Sequence, residues 1–235
     1  MLIDLHTHTA PRSDDSYLAP DELIVQAKRV GLDAICLTEH DWFWDASEIR
    51  KLCRRHDFLV LPGVEISTEE AHLLVFGLEK YAFGMHRASF VKRLVDEAGG
   101  AIIVAHPYRR HFPIGAEPED ERYYPALTRA CESPVFRLAD AVEVLNGRGS
   151  GKENAFSKEI GGKLNLKEVA ASDAHCIEDI GSCATYFKRK ISNVQELSAE
   201  LRAGRFRPMN LASESKRIAQ QQGGRGQARL STPLS

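Results

Sequence analysis

Short apolar runs recur along this chain, and almost every one gives way to a histidine or a carboxylate at its C-terminal end. Met1 to Leu5 leads into His6-Thr7-His8, and Ala34-Ile-Cys-Leu-Thr38 leads into Glu39-His40-Asp41. Phe58 to Leu61 passes through Pro62-Gly63-Val64 to Glu65, Ala101 to Ala105 reaches His106-Pro107, and Glu168 to Ala171 reaches Ser172-Asp173-Ala174-His175. Runs this short, bounded by Gly, Pro or polar residues, predict buried strands. The segments between most of them predict helices. One with Leu23, Ile24, Ala27 and Val30 ends at Gly31, and others span Ala46 to Arg55, Met85 to Ala98, Glu119 to Cys131 (weakly), Asn154 to Ile160 and Asn193 to Ala203. Ala141 to Leu145 is a further strand. The run His72 to Gly77 follows Glu65 too closely for a crossover helix, so it should return antiparallel and carry His72 back towards Glu65. Seven strands with mostly helical connections predict a single α/β domain over residues 1–212, a distorted (β/α)7 barrel of TIM type.

The bulk properties exclude several classes. With 31 basic and 33 acidic residues in 235, the formal charge of -2 supplies no field for a polyanion, so any phosphate recognition has to be local. Five cysteines without a C-x-x-C pair suit neither a disulfide framework nor a structural zinc cluster, and they point to a reducing, cytoplasmic setting. No signal peptide or membrane-spanning run is expected. From residue 213 onward the composition shifts to Gln, Gly, Ser and Arg, which predicts a polar tail at 213–235 that cannot bury a core.

In a parallel barrel the C-terminal strand ends share one face. His6, His8, His40, Glu65, His106, Asp173 and His175 would all stand there, with Asp14 on the first loop and His72 arriving on the reversed strand. Along the first strand the period of two puts His6 and His8 on one side of the backbone. Imidazoles and carboxylates gathered in this way suit zinc, manganese or iron equally. Nine candidates exceed what one ion with an open position can use, so a site with two or three ions is expected.

These positions resemble those of the PHP family, named for polymerase and histidinol phosphatase. The resemblance rests on Asp4-Leu-His6-Thr-His8 with Ser13-Asp14, Thr38-Glu-His40-Asp41, Pro62-Gly-Val-Glu65, Ala105-His-Pro107 and Ser172-Asp-Ala-His175, covers Met1 to Met209, and is nearest the compact stand-alone members. It implies a metal-dependent phosphoesterase on a distorted seven-stranded barrel. His6 and His8 would share a first metal with Glu65 and Asp173. Glu65 would bridge to a second metal held by His72 and His106, and Asp14, His40 and His175 would hold a third. Asp15, adjacent to Asp14, is the alternative ligand there. Glu65, Asp173 and His175 would carry catalysis by supporting a metal-activated water, so no protein nucleophile is required.

Arg109 and, after it, Arg148 in the glycine-rich loop are the candidates for holding a substrate phosphate. His111 reads as a solvent-facing residue, His56 and His86 as structural, and Cys176 as packed. Trp42, Phe43 and Trp44 could stack on a ring or form a wall that keeps water from the metals. The expected substrate is a small phosphomonoester, a nucleotide or a nucleic-acid end. An amidohydrolase acting on C–N bonds, or a non-catalytic metal-binding module, are the alternatives.

Overall fold

The computed structural model describes residues 1–117 and 120–211. The first apolar run forms β1 (Leu2–Thr7), which carries His6 within the strand. In α1 (Pro20–Arg29), Leu23, Ile24 and Ala27 form the buried stripe, and Gly31 follows at φ +84°, where a residue without Cβ costs least. After β2 (Ala34–Leu37), Asp45 starts α2 (Ala46–His56) by accepting a hydrogen bond from Ser47 N. β3 (Leu59–Pro62) then ends at Gly63, where a Cβ would stand 2.8 Å from the Phe76 ring and 2.9 Å from the Thr38 methyl. The chain can turn that tightly only with glycine, and it enters β4 (Val64–Ser67) at once. Glu65 therefore lies inside a strand of its own rather than in the loop after β3. β4 pairs antiparallel with β5 (His72–Phe76), placing Ser67 opposite His72, so the expected reversal is present.

The chain continues through α3 (Ala88–Ala98), β6 (Ala101–Val104), α4 (Tyr108–His111), α5 (Tyr123–Glu132), β7 (Ala141–Asn146), α6 (Gly151–Leu164), β8 (Glu168–Ala171), β9 (Cys183–Phe187), α7 (Val194–Ala203) and β10 (Phe206–Asn210). Three differences from the sequence reading have physical causes. α6 runs on through Gly161-Gly162 because Gly161 packs against Val144 and Glu168, and Asn165 supplies the left-handed cap. β9 is short and mildly apolar. β10 contains Pro208, which a strand tolerates at an edge, and β10 is an edge strand. The polar tail at 213–235 lies outside the described residues.

Among the described residues, ten strands form two five-stranded sheets, ordered β10-β9-β1-β2-β3 and β4-β5-β6-β7-β8. The pairs β1/β2, β2/β3, β6/β7 and β7/β8 are parallel. Ile3, Leu5 and Leu61 of the first sheet share one buried cluster with Leu74, Phe76, Ile103 and Val169 of the second, so the sheets face each other across a common core. α1 and α2 cover the first sheet, and α3, α5 and α6 cover the second. The sheets are also sewn together by two isolated parallel bridges, Thr7 to Ala174 and His40 to Glu65. Both bridges fall at the strand ends that carry the candidate ligands. Among the described residues, no helix is long and apolar enough to cross a membrane.

Candidate metal centre

The two bridges bring four motifs to one point. His8 N donates to Ala174 O at 3.0 Å and Asp173 N to His6 O at 2.9 Å, which joins the first motif to the last; Asp41 N donates to Glu65 O and Glu65 N to Glu39 O, which joins the second to the third. At the centre lies the Glu65 carboxylate, fully buried, with five imidazole nitrogens around it. Oε2 faces His6 Nε2 at 3.2 Å, His8 Nε2 at 3.2 Å and His40 Nδ1 at 3.0 Å, while Oε1 faces His72 Nδ1 at 2.8 Å and His106 Nε2 at 2.9 Å. Asp173 Oδ1 stands 3.4 Å from the Nε2 atoms of both His6 and His8.

Several of these nitrogens have their protons directed elsewhere. His175 Nδ1 lies 2.7 Å from the Asp173 carbonyl, which only accepts, so Nδ1 donates and Nε2 keeps its lone pair. His8 Nδ1 lies 3.1 Å from Ser13 Oγ, whose own proton goes to Glu39 Oε2 at 2.6 Å, so His8 Nδ1 is again the donor. His8 Nε2 is then a bare acceptor facing carboxylate oxygens. It and Asp173 Oδ1 are both buried without a hydrogen-bond partner. Acceptors held together in a buried place are suited to sharing a cation. This donor set fits divalent ions, and the ligand atoms fall into groups that could each hold one: His6, His8 and Glu65; Glu65, His72 and His106; His6, His106 and Asp173; and His8, His40 and His175.

The electrostatics agree with the geometry. Burial alone would raise the Glu65 pKa, but His6, His106 and His40 hold it well below the ordinary carboxylate range. Asp173 is likewise held low against its burial by His6, His8 and Arg109. Burial would depress His6, yet Asp173, Glu65 and Glu143 raise it well above the usual imidazole value. The place occupied by His6 Nε2 thus calls for positive charge, from a proton or a metal. Burial keeps His106 below its ordinary value, and burial with the nearby His8 does the same for His175, which favours the neutral form that ligates.

Of the two candidates for the third position, the structure brings Asp15 rather than Asp14 to the histidines. Asp14 and Asp15 are both exposed, but Asp15 Oδ2 lies 3.0 Å from His175 Nε2 and 3.4 Å from His40 Nε2. The loop's turn decides which of two adjacent carboxylates points inward, and no periodicity in the sequence records that. Asp15→Asn is expected to weaken ion retention at this position by about tenfold, with Asp14→Asn nearly silent in the same metal titration. Equal effects of the two substitutions would contradict the assignment.

Both His106 (φ +23°) and Asp173 (φ +55°) occupy left-handed backbone that non-glycine residues seldom adopt, a cost that persists where surrounding contacts demand it. Gly147 makes room beside Asp173: a Cβ there would stand 2.6 Å from the Ser172 carbonyl and 2.1 Å from Ser182 Oγ.

Arg109 pairs through Nη2 with Asp173 Oδ2, so it props a candidate ligand as well as facing the site. Arg148 is exposed and only its backbone N–H, donating to Asn146 Oδ1 at 3.0 Å, is tied to this network. His111 is half-buried rather than solvent-facing; it lines a cavity of about 190 Å³ together with His72, His106, Arg109 and Phe136. His56 is engaged far away by Asp21 at 2.5 Å, and His86 packs near Phe83. Trp42 is 48% exposed, Phe43 packs on the core, and Trp44 donates to Glu39 Oε1 at 3.1 Å; the Arg12 guanidinium sits over both indole rings. The sequence reading gave no role to Glu143, Asn146 or Glu39. A single acid within Ala141-Val-Glu-Val-Leu145, otherwise wholly apolar, was the available signal for Glu143.

Fold and site together define an α/β protein built around a candidate multinuclear metal centre. The PHP domain model matches residues 4–112, and a PHP-associated model matches 151–206. The chain thus carries a PHP domain, followed by a PHP-associated segment. An uncharacterised protein of Methanocaldococcus jannaschii is 28% identical over 157 residues, covering 62% of this chain and 82% of its own. A two-domain protein from Bacteroides vulgatus, containing a predicted PHP-like metal-dependent phosphoesterase, superposes with a TM-score of 0.61 at 21% identity, over 90% of this chain and 65% of that one. An amidohydrolase from Chromobacterium violaceum, with bound sulfate and no metal, gives a TM-score of 0.53 at 18% identity, over 91% of this chain and 99% of that one. At these identities the two structural likenesses are ones of fold.

Proposed function

We propose that the protein is a metal-dependent phosphoesterase acting on a small phosphate ester, such as a phosphomonoester, a nucleotide or a nucleic-acid end. The observation that carries this reading is the Glu65 carboxylate ringed by five imidazole nitrogens, with His8 Nε2 and Asp173 Oδ1 buried and unpartnered beside it. The PHP domain supports it. His6, His8, Glu65 and Asp173 would hold a first ion, Glu65, His72 and His106 a second, and Asp15, His40 and His175 a third, with zinc, manganese or iron all compatible. Divalent ions bound there supply Lewis acidity that lowers the pKa of water and offsets phosphate charge. The strands belong to a distorted barrel in this reading, closed where the two bridges join the sheets.

The chain's own residues do the rest. Glu65 and Asp173 provide the fixed negative charge that retains the ions, and His175 keeps its Nε2 free by donating from Nδ1 to the Asp173 carbonyl. His40 and His72, 26% and 31% exposed, mark the side from which substrate enters, since His6, His8, Glu65 and Asp173 are sealed. Arg109 has five N–H donors, more than Asp173 can accept, so it can hold Asp173 and a phosphate oxygen together. Arg148, on the adjacent loop, is the second phosphate donor. Cys36, Cys176 and Cys183 are poorly suited as nucleophiles: burial raises Cys36 and Cys176, and pushes Cys183 up to about 12. The free cysteines suit a reducing, cytoplasmic setting.

The test is to strip the protein, reload it separately with zinc, manganese and iron, and measure phosphate release from small phosphate esters beside hydrolysis of model amides. Phosphate release that needs a metal is expected. Amide hydrolysis alone would replace this reading with the amidohydrolase one, and inertness towards both with metal bound would leave a non-catalytic module.

A further inference from the structure

Glu143 is a fully buried acid in the middle of β7, flanked by Val142 and Val144. Its oxygens are divided between the candidate ligands. Oε1 lies 3.2 Å from His6 Nδ1, and Oε2 accepts from His106 N at 2.8 Å and from Asn146 Nδ2 at 3.0 Å. Asn146 Nδ2 uses its other proton on Asp173 Oδ2 at 3.1 Å. One side chain thus reaches His6 and His106 directly and Asp173 through one amide, and those three form one of the groups able to hold an ion. The bond to His106 N also satisfies a buried backbone donor just beyond the end of β6.

We infer that Glu143 is a positioning residue that fixes the tautomer of His6. The inference rests on the metal-centre reading above. A carboxylate can only accept, so His6 presents its Nδ1 proton to Glu143, and the neutral ring of the metal-loaded protein is left with its Nε2 lone pair towards the site. Glutamine in this place has the same shape but one accepting atom. If its oxygen kept His106 N and Asn146 Nδ2, its amide would face His6 Nδ1 and force that atom to accept; the His6 proton would then move to Nε2 and block ligation. The reverse orientation would set the amide against two donors, His106 N–H and the Asn146 amide, and is the less favourable arrangement.

The test compares zinc binding of the wild-type protein with Glu143→Gln, monitored by calorimetric titration, and observes the imidazole nitrogens by NMR. The expected result is zinc affinity about 10- to 100-fold weaker in Glu143→Gln, with the metal-free variant keeping the folded circular dichroism of the wild type. In zinc-loaded wild type the His6 proton should reside on Nδ1. A wild-type protein that takes up no zinc would overturn the metal centre itself. Wild-type binding together with undiminished affinity in Glu143→Gln would overturn only the role of Glu143. Should Glu143→Gln not fold, the wild-type spectrum still decides: a His6 proton found on Nε2 in the zinc-loaded protein excludes the inference.

Discussion

Replacing Glu65 by glutamine is expected to reduce metal-dependent phosphate release by about a thousandfold or more. The side chain is fully buried and both of its oxygens face imidazoles, Oε2 on the side of His6, His8 and His40 and Oε1 on the side of His72 and His106. A carboxylate can serve ions on both sides. Glutamine offers one neutral oxygen, and its amide directs protons at nitrogens that must accept. Metal ions contribute several kcal/mol of charge stabilisation in such reactions, and each 1.36 kcal/mol is tenfold in rate. The variant should also lose at least one equivalent of tightly held metal while keeping the circular dichroism of the parent in chelator. A Gln variant that held its full metal complement and more than about a tenth of its turnover would sink the bridging role.

Chelation carries the second large effect, this time on stability. Ions bound at about a thousand times their Kd stabilise a native state by about 4 kcal/mol, and in chains of this length each kcal/mol moves the melting midpoint by about 2–4 °C. Stripping the protein should therefore lower its midpoint by roughly 10 °C at neutral pH. The pH dependence has a definite sign. In the stripped protein the raised pKa of His6 means that its imidazolium stands in for the missing cation, a contribution fully present below the ordinary imidazole value of about 6.5 and lost as pH rises through the higher folded value. The gap between loaded and stripped midpoints should widen as pH increases from about 6.5. Scanning calorimetry with and without chelator across that range checks it, and a gap that narrows with rising pH would show that the cluster does not depend on added positive charge.

The mouth of the site shows how far local chemistry can be read along a chain. The apolar runs are legible because a strand buried on both faces has to be continuous in its hydrophobicity, and the polar residue that ends each run stands out against it. The antiparallel return at His72 was legible from chain length alone, since the six residues between Glu65 and His72 cannot form a crossover. Glu143 was harder to recognise, because an acid inside an apolar strand declares itself costly without naming its partners, which lie 137 residues away at His6 and 37 at His106. β9 and β10 were missed because their residues carry little hydrophobic signal; the pairing of β9 along β1 and of β10 along β9 supplies what their own composition does not.

By itself, the sequence determined the residue types, their order and their placement at strand ends, since these follow from hydrophobic periodicity and from the short reach of each segment. Only the tertiary structure decided which atoms meet. It chose Asp15 over Asp14 through the turn of one loop, brought Asp173 to His6 through a backbone bond spanning the length of the domain, and gave Arg109 to Asp173. It also fixed which nitrogen of His8 and His175 keeps a lone pair, by seating Ser13 and the Asp173 carbonyl against the opposite edges of those rings. Such choices depend on angstrom-scale distances between residues remote in the chain, and no local pattern of amino acids encodes a distance of that kind.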